Sequence, residues 1–115
     1  MENKTGLKSE FLKELHAQIL SFPGIEQVFI FGSRARGDYR KYSDVDLAIF
    51  GEQVSFETLG AVREFLEELP TIYRFDLIHF DKQTNEQLKA SILREGISLT
   101  ALLEIEEERP QKDEG

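Results

Sequence analysis

Apolar positions along the chain recur first with a helical period. Between residues 7 and 20, Phe11, Leu12, Leu15 and Ile19 share one face, while Lys8, Glu10, Lys13 and Glu14 take the other. That is the pattern of an amphipathic helix, and Pro23-Gly24 stops it. The period then gives way to a continuous apolar run, Val28-Phe29-Ile30-Phe31, which reads as a buried strand. Gly32 ends the run, and Ser33, a good N-cap residue, is expected to open a short helix. A polar, basic stretch leads to Tyr42, Ser43-Asp44 resembles a turn, and Val45 to Phe50 is a second strand closed by Gly51.

Helical spacing returns in Phe56, Leu59, Val62, Phe65, Leu66 and Leu69, with Ser55 as the cap and Pro70 as the stop. Residues 72–80 predict a third strand. Thr84 and Gln87 have capping-box spacing ahead of a last helix whose apolar face carries Leu88, Ile92 and Leu93. Gly96 stands where a C′ glycine belongs. Ile97 to Leu103 fits either a short strand or more helix. From Glu104 the chain is acidic and contains Pro110, which predicts a tail with a flexible end. The order of elements is that of an α/β layer protein. We expect one domain over 1–103, an acidic tail over 104–115, and no internal repeat or linker.

Composition narrows the functions open to the chain. Its 115 residues fit one domain, and 40% hydrophobic with 31% charged residues is a globular composition. Charged residues interrupt every apolar run before it reaches membrane-spanning length. Met1-Glu2-Asn3-Lys4-Thr5-Gly6 lacks the features of a signal peptide, so a cytoplasmic location is expected. There is no cysteine, hence no disulfide and no thiolate metal site. A net charge of −8 argues against gripping duplex nucleic acid, which takes Lys and Arg to displace counterions. Arg34, Arg36, Arg40 and Lys41 nonetheless cluster in one short stretch, which suggests a small anionic ligand.

Three places carry candidate chemistry. Asp44 and Asp46 stand two apart at the mouth of the second strand, so their carboxylates share a face. Like charges that close repel unless something compensates. A divalent cation with a taste for oxygen ligands, magnesium or manganese, would do so; a solvated turn is the bland alternative. Phe31-Gly32-Ser33 joins a buried strand to a helix start. Glycine permits a tight turn and close ligand approach, and freed amides with the Ser33 hydroxyl can donate to phosphate oxygens. Arg34 and Arg36 follow at once, and Gly37 suggests another backbone constraint. Asp76 sits inside the apolar Phe75-Asp76-Leu77-Ile78, where an unpaired buried ion would cost several kcal/mol. Its partner is either Arg74 or a shared metal ion. Three carboxylates on neighbouring strands suit a pair of metal ions that clamp a phosphoryl displacement.

Together, Gly32-Ser33-Arg34-Ala35-Arg36-Gly37, Ser43-Asp44-Val45-Asp46-Leu47 and Asp76 on a later strand resemble the nucleotidyltransferase superfamily that includes DNA polymerase beta. Within it, the chain is most similar to the minimal nucleotidyltransferases, over residues from about 28 to 99. The resemblance implies a small mixed sheet flanked by helices, an α+β arrangement. It implies ATP or another nucleoside triphosphate as substrate and two magnesium ions as cofactor. Gly32 and Ser33 would hold the triphosphate. Asp44 and Asp46 would bind the metals, and Asp76 would complete the catalytic site. Arg34 and Arg36 occupy the family's basic positions, with the phosphate contact open between them. The resemblance further implies a HEPN-type helical partner, a toxin, whose tyrosine would accept AMP while this chain acts as antitoxin. A non-catalytic module that neutralises its partner by contact is the alternative. An antibiotic nucleotidyltransferase is a third reading, disfavoured because such enzymes usually add a domain. Homo-oligomerisation stays open.

His16 and His79 each lack a second histidine at ligand spacing, so a surface or packed role is expected. Tyr39 and Tyr42 are expected to pack against the short helix, with base stacking or self-modification as alternatives. The run Glu104 to Glu108 reads as a solvated helix end or as a face for a basic partner.

Overall fold

Leu12, Leu15 and Ile19 are fully buried along α1 (Ser9–Leu20), as the first periodic stretch requires. A computed structural model describes residues 4–108 of the chain. Its four-stranded sheet is assembled from β1 (Gln27–Phe31), β2 (Val45–Phe50), β3 (Phe75–His79) and the two-residue β4 (Ile97–Ser98). The order is β3-β2-β1-β4. β1 runs antiparallel to β2 and β4, while β2 and β3 are parallel, so the sheet is mixed. The helices are α1, α2 (Ser33–Arg36), α3 (Phe56–Glu67), α4 (Glu86–Glu95) and α5 (Leu99–Glu108). None of the described helices is long and apolar enough to cross a membrane.

Strand alternation divides the interior in two. Val28, Ile30, Val45, Leu47 and Ile49 join the main core with Leu12 and Leu15 of α1, Val62 and Leu66 of α3, and Leu99 and Leu102 of α5. Phe31 and Ala48 join a smaller cluster with Ile92 of α4, flanked by Phe29, Phe50 and Phe80. Phe50 stacks on Phe80 with centroids 4.3 Å apart. The smaller cluster fills only part of its face. The remainder, where Asp46 and Asp76 emerge, is the anionic end of the sheet.

Several local expectations change. The third strand is shorter than 72–80, because its partner β2 spans only Val45 to Phe50 and pairing starts at Val45 with Phe75. Ile72 is left exposed. Phe80–Lys82 turns into a 3-10 helix, anchored where the Gly51 amide donates to Asp81 Oδ1 at 2.9 Å. α4 is capped by Asn85, whose Oδ1 accepts from the Leu88 amide at 3.1 Å, so Thr84 is not the cap. Leu88 and Ile92 pack inward, but Leu93 is exposed. Gly96 is extended (φ −70°, ψ 155°) and not left-handed. A side chain there would strike the Ile92 carbonyl and the Phe29 ring, so glycine serves close approach between α4 and the sheet. The ambiguous stretch 97–103 is both things in turn: β4, then the start of α5. α5 runs through position 103 to Glu108, so the acidic run is helical; the tail expected from 109 on lies outside the described residues.

Candidate active site

The site begins where β1 ends. Gly32 is the N-cap residue of α2, at φ 75° and ψ −155°, a conformation that L side chains rarely adopt. An added Cβ would also overlap Asp46 Oδ2. Glycine is therefore required twice, by the turn and by the carboxylate above it. Ser33 is the first helical residue and not the cap, and its hydroxyl has no hydrogen-bond partner among the described residues. The helix lasts four residues. The Gly37 amide donates to the Ser33 carbonyl at 2.8 Å, and Gly37 ends the turn at φ 94°, the backbone constraint its position suggested.

Asp46 sits at the middle of the sheet's end. It faces Phe31 across the antiparallel pair and Asp76 across the parallel pair. Asp44 precedes β2 by one residue and, by alternation, belongs to the same face. Val45 between them is fully buried and anchors the pair to the core. The Asp46 carboxyl is raised from 3.8 to about 6, first by burial, then by the charges of Asp76 and Asp44. Arg36 acts in the opposite direction. Asp44 and Asp76 thus act on Asp46 as one electrostatic unit. As they stand, they are neighbours and not a closed cage: among the described residues, no three acidic or histidine side chains converge tightly enough to hold a metal ion. The donor set still fits a hard divalent cation in its chemistry, being all carboxylate oxygen with an unrelieved mutual repulsion.

The two arginines part company. Arg36 is exposed, with its Nε donating to Asp38 at 3.2 Å and Nη1 to Glu95 at 3.5 Å; the Asp38 bond, above all, raises its pKa. Its position beside Asp46 keeps it available to an anion bound there. Arg34 is 2% exposed, which corrects its assignment to the nucleotide. Its Nη1 donates to the Thr5 carbonyl at 2.8 Å, its Nε to that of Ser43 at 3.2 Å and its Nη2 to that of Lys41 at 3.3 Å. Its guanidinium lies 4.7 Å from the Tyr39 ring centroid and 4.9 Å from that of Tyr73. Arg34 thereby ties the turn that carries Ser33 to the loop that delivers Asp44. Nothing in the sequence pattern distinguished it from Arg36, because its acceptors are backbone carbonyls and no residue type marks them.

Arg74 makes no ion pair with Asp76 among the described residues, and Asp76 is exposed, so the burial that was expected to demand a partner is absent. Arg74 and Asp76 instead help line an open cleft of about 500 Å³ between α3 and β3, together with Arg63, Glu67 and Tyr73. Arg63 carries no local sequence signal, because a helix-surface arginine is set apart only by its tertiary neighbours. Tyr39 packs on Arg34 of α2 as expected, whereas Tyr42 is exposed. His79 is buried, its Nε2 donating to the Gly51 carbonyl at 2.8 Å. His16 shares a 2.8 Å hydrogen bond with Thr100. Both occupy hydrogen-bonded, packed positions.

The profile of the family "Polymerase beta, Nucleotidyltransferase" matches residues 13–102. The chain belongs to this family. A curated relative, the probable protein adenylyltransferase MntA of Haemophilus influenzae, is 40% identical over 52 residues, or 44% of this chain and 46% of the relative. The match thus spans about half the length of that relative. Among solved structures, a toxin–antitoxin complex with AMP-PNP superposes with a TM-score of 0.62 at 18% identity, covering 80% of this chain and 73% of that one. A mutant of the toxin–antitoxin MntA-HpeT gives 0.62 at 15%, covering 81% and 72%. At such identities these likenesses speak for the fold, which is that of polymerase beta-like nucleotidyltransferases.

Proposed function

We propose that this nucleotidyltransferase-family chain transfers AMP from ATP to a hydroxyl on a HEPN-type protein partner, and that it thereby acts as an antitoxin. The observation that carries the reading is Asp46, pressed against Gly32 and raised to about 6 beside Asp44 and Asp76. Such a crowd of anions next to a phosphate-sized turn is suited to a ligand that brings its own cations. The curated relative, a probable protein adenylyltransferase, and the toxin–antitoxin structures support the direction by likeness.

In this reading the backbone at Gly32 and the Ser33 hydroxyl hold the triphosphate oxygens, and Arg36 adds positive charge from the rim. Asp44, Asp46 and Asp76 would hold magnesium, which when bound neutralises phosphate charge and acidifies the acceptor hydroxyl. The acceptor oxygen bonds to the α-phosphorus as the bond from that phosphorus to the β-bridging oxygen breaks. Pyrophosphate leaves with the bonding electrons, and the hydroxyl proton passes to Asp76 and on to water. Arg34 touches none of the reacting atoms; it keeps the Ser33 turn and the Asp44 loop in register.

The test is to mix the chain and its partner with ATP and magnesium and to weigh the partner. An increase of one or more adenylyl groups, lost with Asp44→Asn and without magnesium, is expected. One observation favours a second reading, neutralisation by contact alone: the carboxylates do not close on a common point as they stand. An unmodified but inhibited partner would select that reading.

A further inference from the structure

We propose that Glu95 is a positioning residue for the nucleotide: it holds the Arg36 guanidinium at the rim of the site, where Arg36 meets the triphosphate, a role that rests on the transferase reading above. Two helices end at this rim. α2 closes on Arg36, whose amide donates to the Gly32 carbonyl at 3.0 Å, so its side chain leaves one turn from Gly32 and Ser33. α4 closes on Glu95. Ile92, three residues earlier, is buried with Phe31 and Ala48, on the face of the sheet that carries Asp46. A side chain at Gly96 would strike the Ile92 carbonyl and the Phe29 ring. The end of α4 is therefore seated tightly against that face, and Glu95 with it.

Arg36 is held at two of its three nitrogens. Nε donates to Asp38 at 3.2 Å and Nη1 to Glu95 Oε1 at 3.5 Å, while Nη2 has no partner among the described residues. Asp38 is two residues from Arg36 and travels with it. Glu95 comes from another element, so of the two it is the one that fixes the guanidinium relative to the sheet. Its carboxylate is braced in turn: Oε1 accepts from the Ser91 hydroxyl at 3.5 Å, and Oε2 lies 3.8 Å from Arg94 Nη2. Stability is a poor reason for a glutamate here. An anion in the last turn of a helix meets the negative end of the helix dipole, and a pair with side chains 43% and 29% exposed contributes little to the fold. A long arginine loses much rotamer freedom when it grips a ligand. Holding two nitrogens beforehand lowers that cost and leaves Nη2 to donate to a phosphate oxygen.

The experiment measures magnesium-ATP binding to the full chain by calorimetry, in the wild type, Glu95→Ala, Glu95→Gln, Arg36→Ala and the double variant of Glu95→Ala with Arg36→Ala. NMR of the Arg36 Nε–H group without ligand reports how firmly the guanidinium is held. Glu95→Ala should weaken ATP binding about three- to five-fold, the range that a half-exposed charged pair supports. In the transfer assay it should raise the KM for ATP by a similar factor and lower kcat less, with the urea midpoint little changed. Glu95→Gln keeps an acceptor at the same reach and should recover part of the loss. In the Arg36→Ala background, removing Glu95 should cost nothing further, because its effect travels through Arg36. The Arg36 Nε–H group should be ordered in the wild type and more mobile in Glu95→Ala. Unchanged ATP affinity in Glu95→Ala overturns the inference and leaves the transferase reading standing. So does tighter binding, which would make Glu95 a competitor for Arg36. An equal loss in the Arg36→Ala background, or an Arg36 Nε–H group as ordered without Glu95 as with it, also overturns it. A wild-type chain that binds no magnesium-ATP sinks the transferase reading itself, and the positioning role with it.

Discussion

Along β2, Val45, Leu47 and Ile49 enter a core closed by α1, α3 and α5, while Asp46, Ala48 and Phe50 lie on the face that α4 covers. The first face is aliphatic and continuous. The second is aromatic at one end, where Phe50 stacks on Phe80, and anionic at the other, where Asp46 meets Asp76. One six-residue strand therefore stabilises the fold with its odd positions and destabilises it with an even one. The contrast separates what holds the protein together from what the protein holds. A core residue fails by leaving a cavity; a site residue is tolerated despite its cost because a ligand offsets it.

The largest effect belongs to the closed face. Leu47 is fully buried, and Leu47→Ala should destabilise by about 3 kcal/mol through lost transfer energy and an unfilled cavity. Urea melts in chelator measure it. A loss under about 1 kcal/mol would mean that the core can collapse around the gap, and that the two faces differ less than described.

Arg34 comes next, because it ties the Ser33 turn to the Asp44 loop. Arg34→Met should cost about 2 kcal/mol or more by removing the donors to three backbone carbonyls. Lysine should rescue it poorly, since a point charge cannot reproduce the fork. A readout that a merely structural role would not move is the kinetics at a temperature where the variant is folded. There kcat should fall more than the KM for ATP rises, because the Asp44 loop is displaced while Gly32 and Ser33 remain. Full activity in the folded variant would leave Arg34 with no positioning role.

Asp46 should act with the opposite sign. Its carboxyl stands at about 6 in the fold against an ordinary 3.8, so the fold binds the proton more tightly than the unfolded chain does. The associated stability is fully present below about 3.8 and is lost as pH rises through 6. At neutral pH and without metal, Asp46→Asn should therefore stabilise the chain, by about 1 kcal/mol once solvent screening of this half-buried group is allowed for. The gain should vanish below pH 4. Adding Asp44→Asn should relieve further repulsion while abolishing transfer. A lower urea midpoint at pH 7 would show that the pair supports the fold itself.

These variants also mark what the sequence could reveal. Helical periods located α1 and α3 because each buries one stripe against one partner layer. The alternation in Val45-Asp46-Leu47 showed that a carboxylate sits on a strand's second face, and register brought Asp76 to it. Arg34 and Arg36 could not be separated, since burial of a cation depends on carbonyls donated by residues 5, 41 and 43. The Thr84 cap failed for a different reason. Asn85 is equally competent one residue later, and only the path of the chain out of the 3-10 turn chooses between them. The cleft at Arg63 and Arg74 needs α3 and β3 side by side, which no local pattern states.

The smallest effect on the fold, and the sharpest on the comparison, is expected at Arg36. Its guanidinium is exposed and paired with Asp38 and Glu95, and exposed pairs of that kind contribute little to stability. Arg36→Ala should lower the urea midpoint only slightly at neutral pH, through the lost attraction to Asp46. The same guanidinium is nonetheless the cation that lowers the Asp46 carboxyl against burial and two like charges. Removing it should push Asp46 higher than about 6, so that a larger fraction is protonated at neutral pH. A protonated carboxyl is a poorer ligand, so magnesium affinity should fall and become more strongly dependent on pH. Following the Asp46 side-chain carbon by NMR from pH 4 to 8 reads the shift directly, and calorimetric titration with magnesium reads its consequence. Arg36→Lys should restore most of the electrostatic effect, because a point charge at that distance acts much as a guanidinium does. An unchanged Asp46 titration in Arg36→Ala would show that Arg36 is no part of the anionic end of the sheet and would leave the phosphate contact without a candidate among the two arginines of α2.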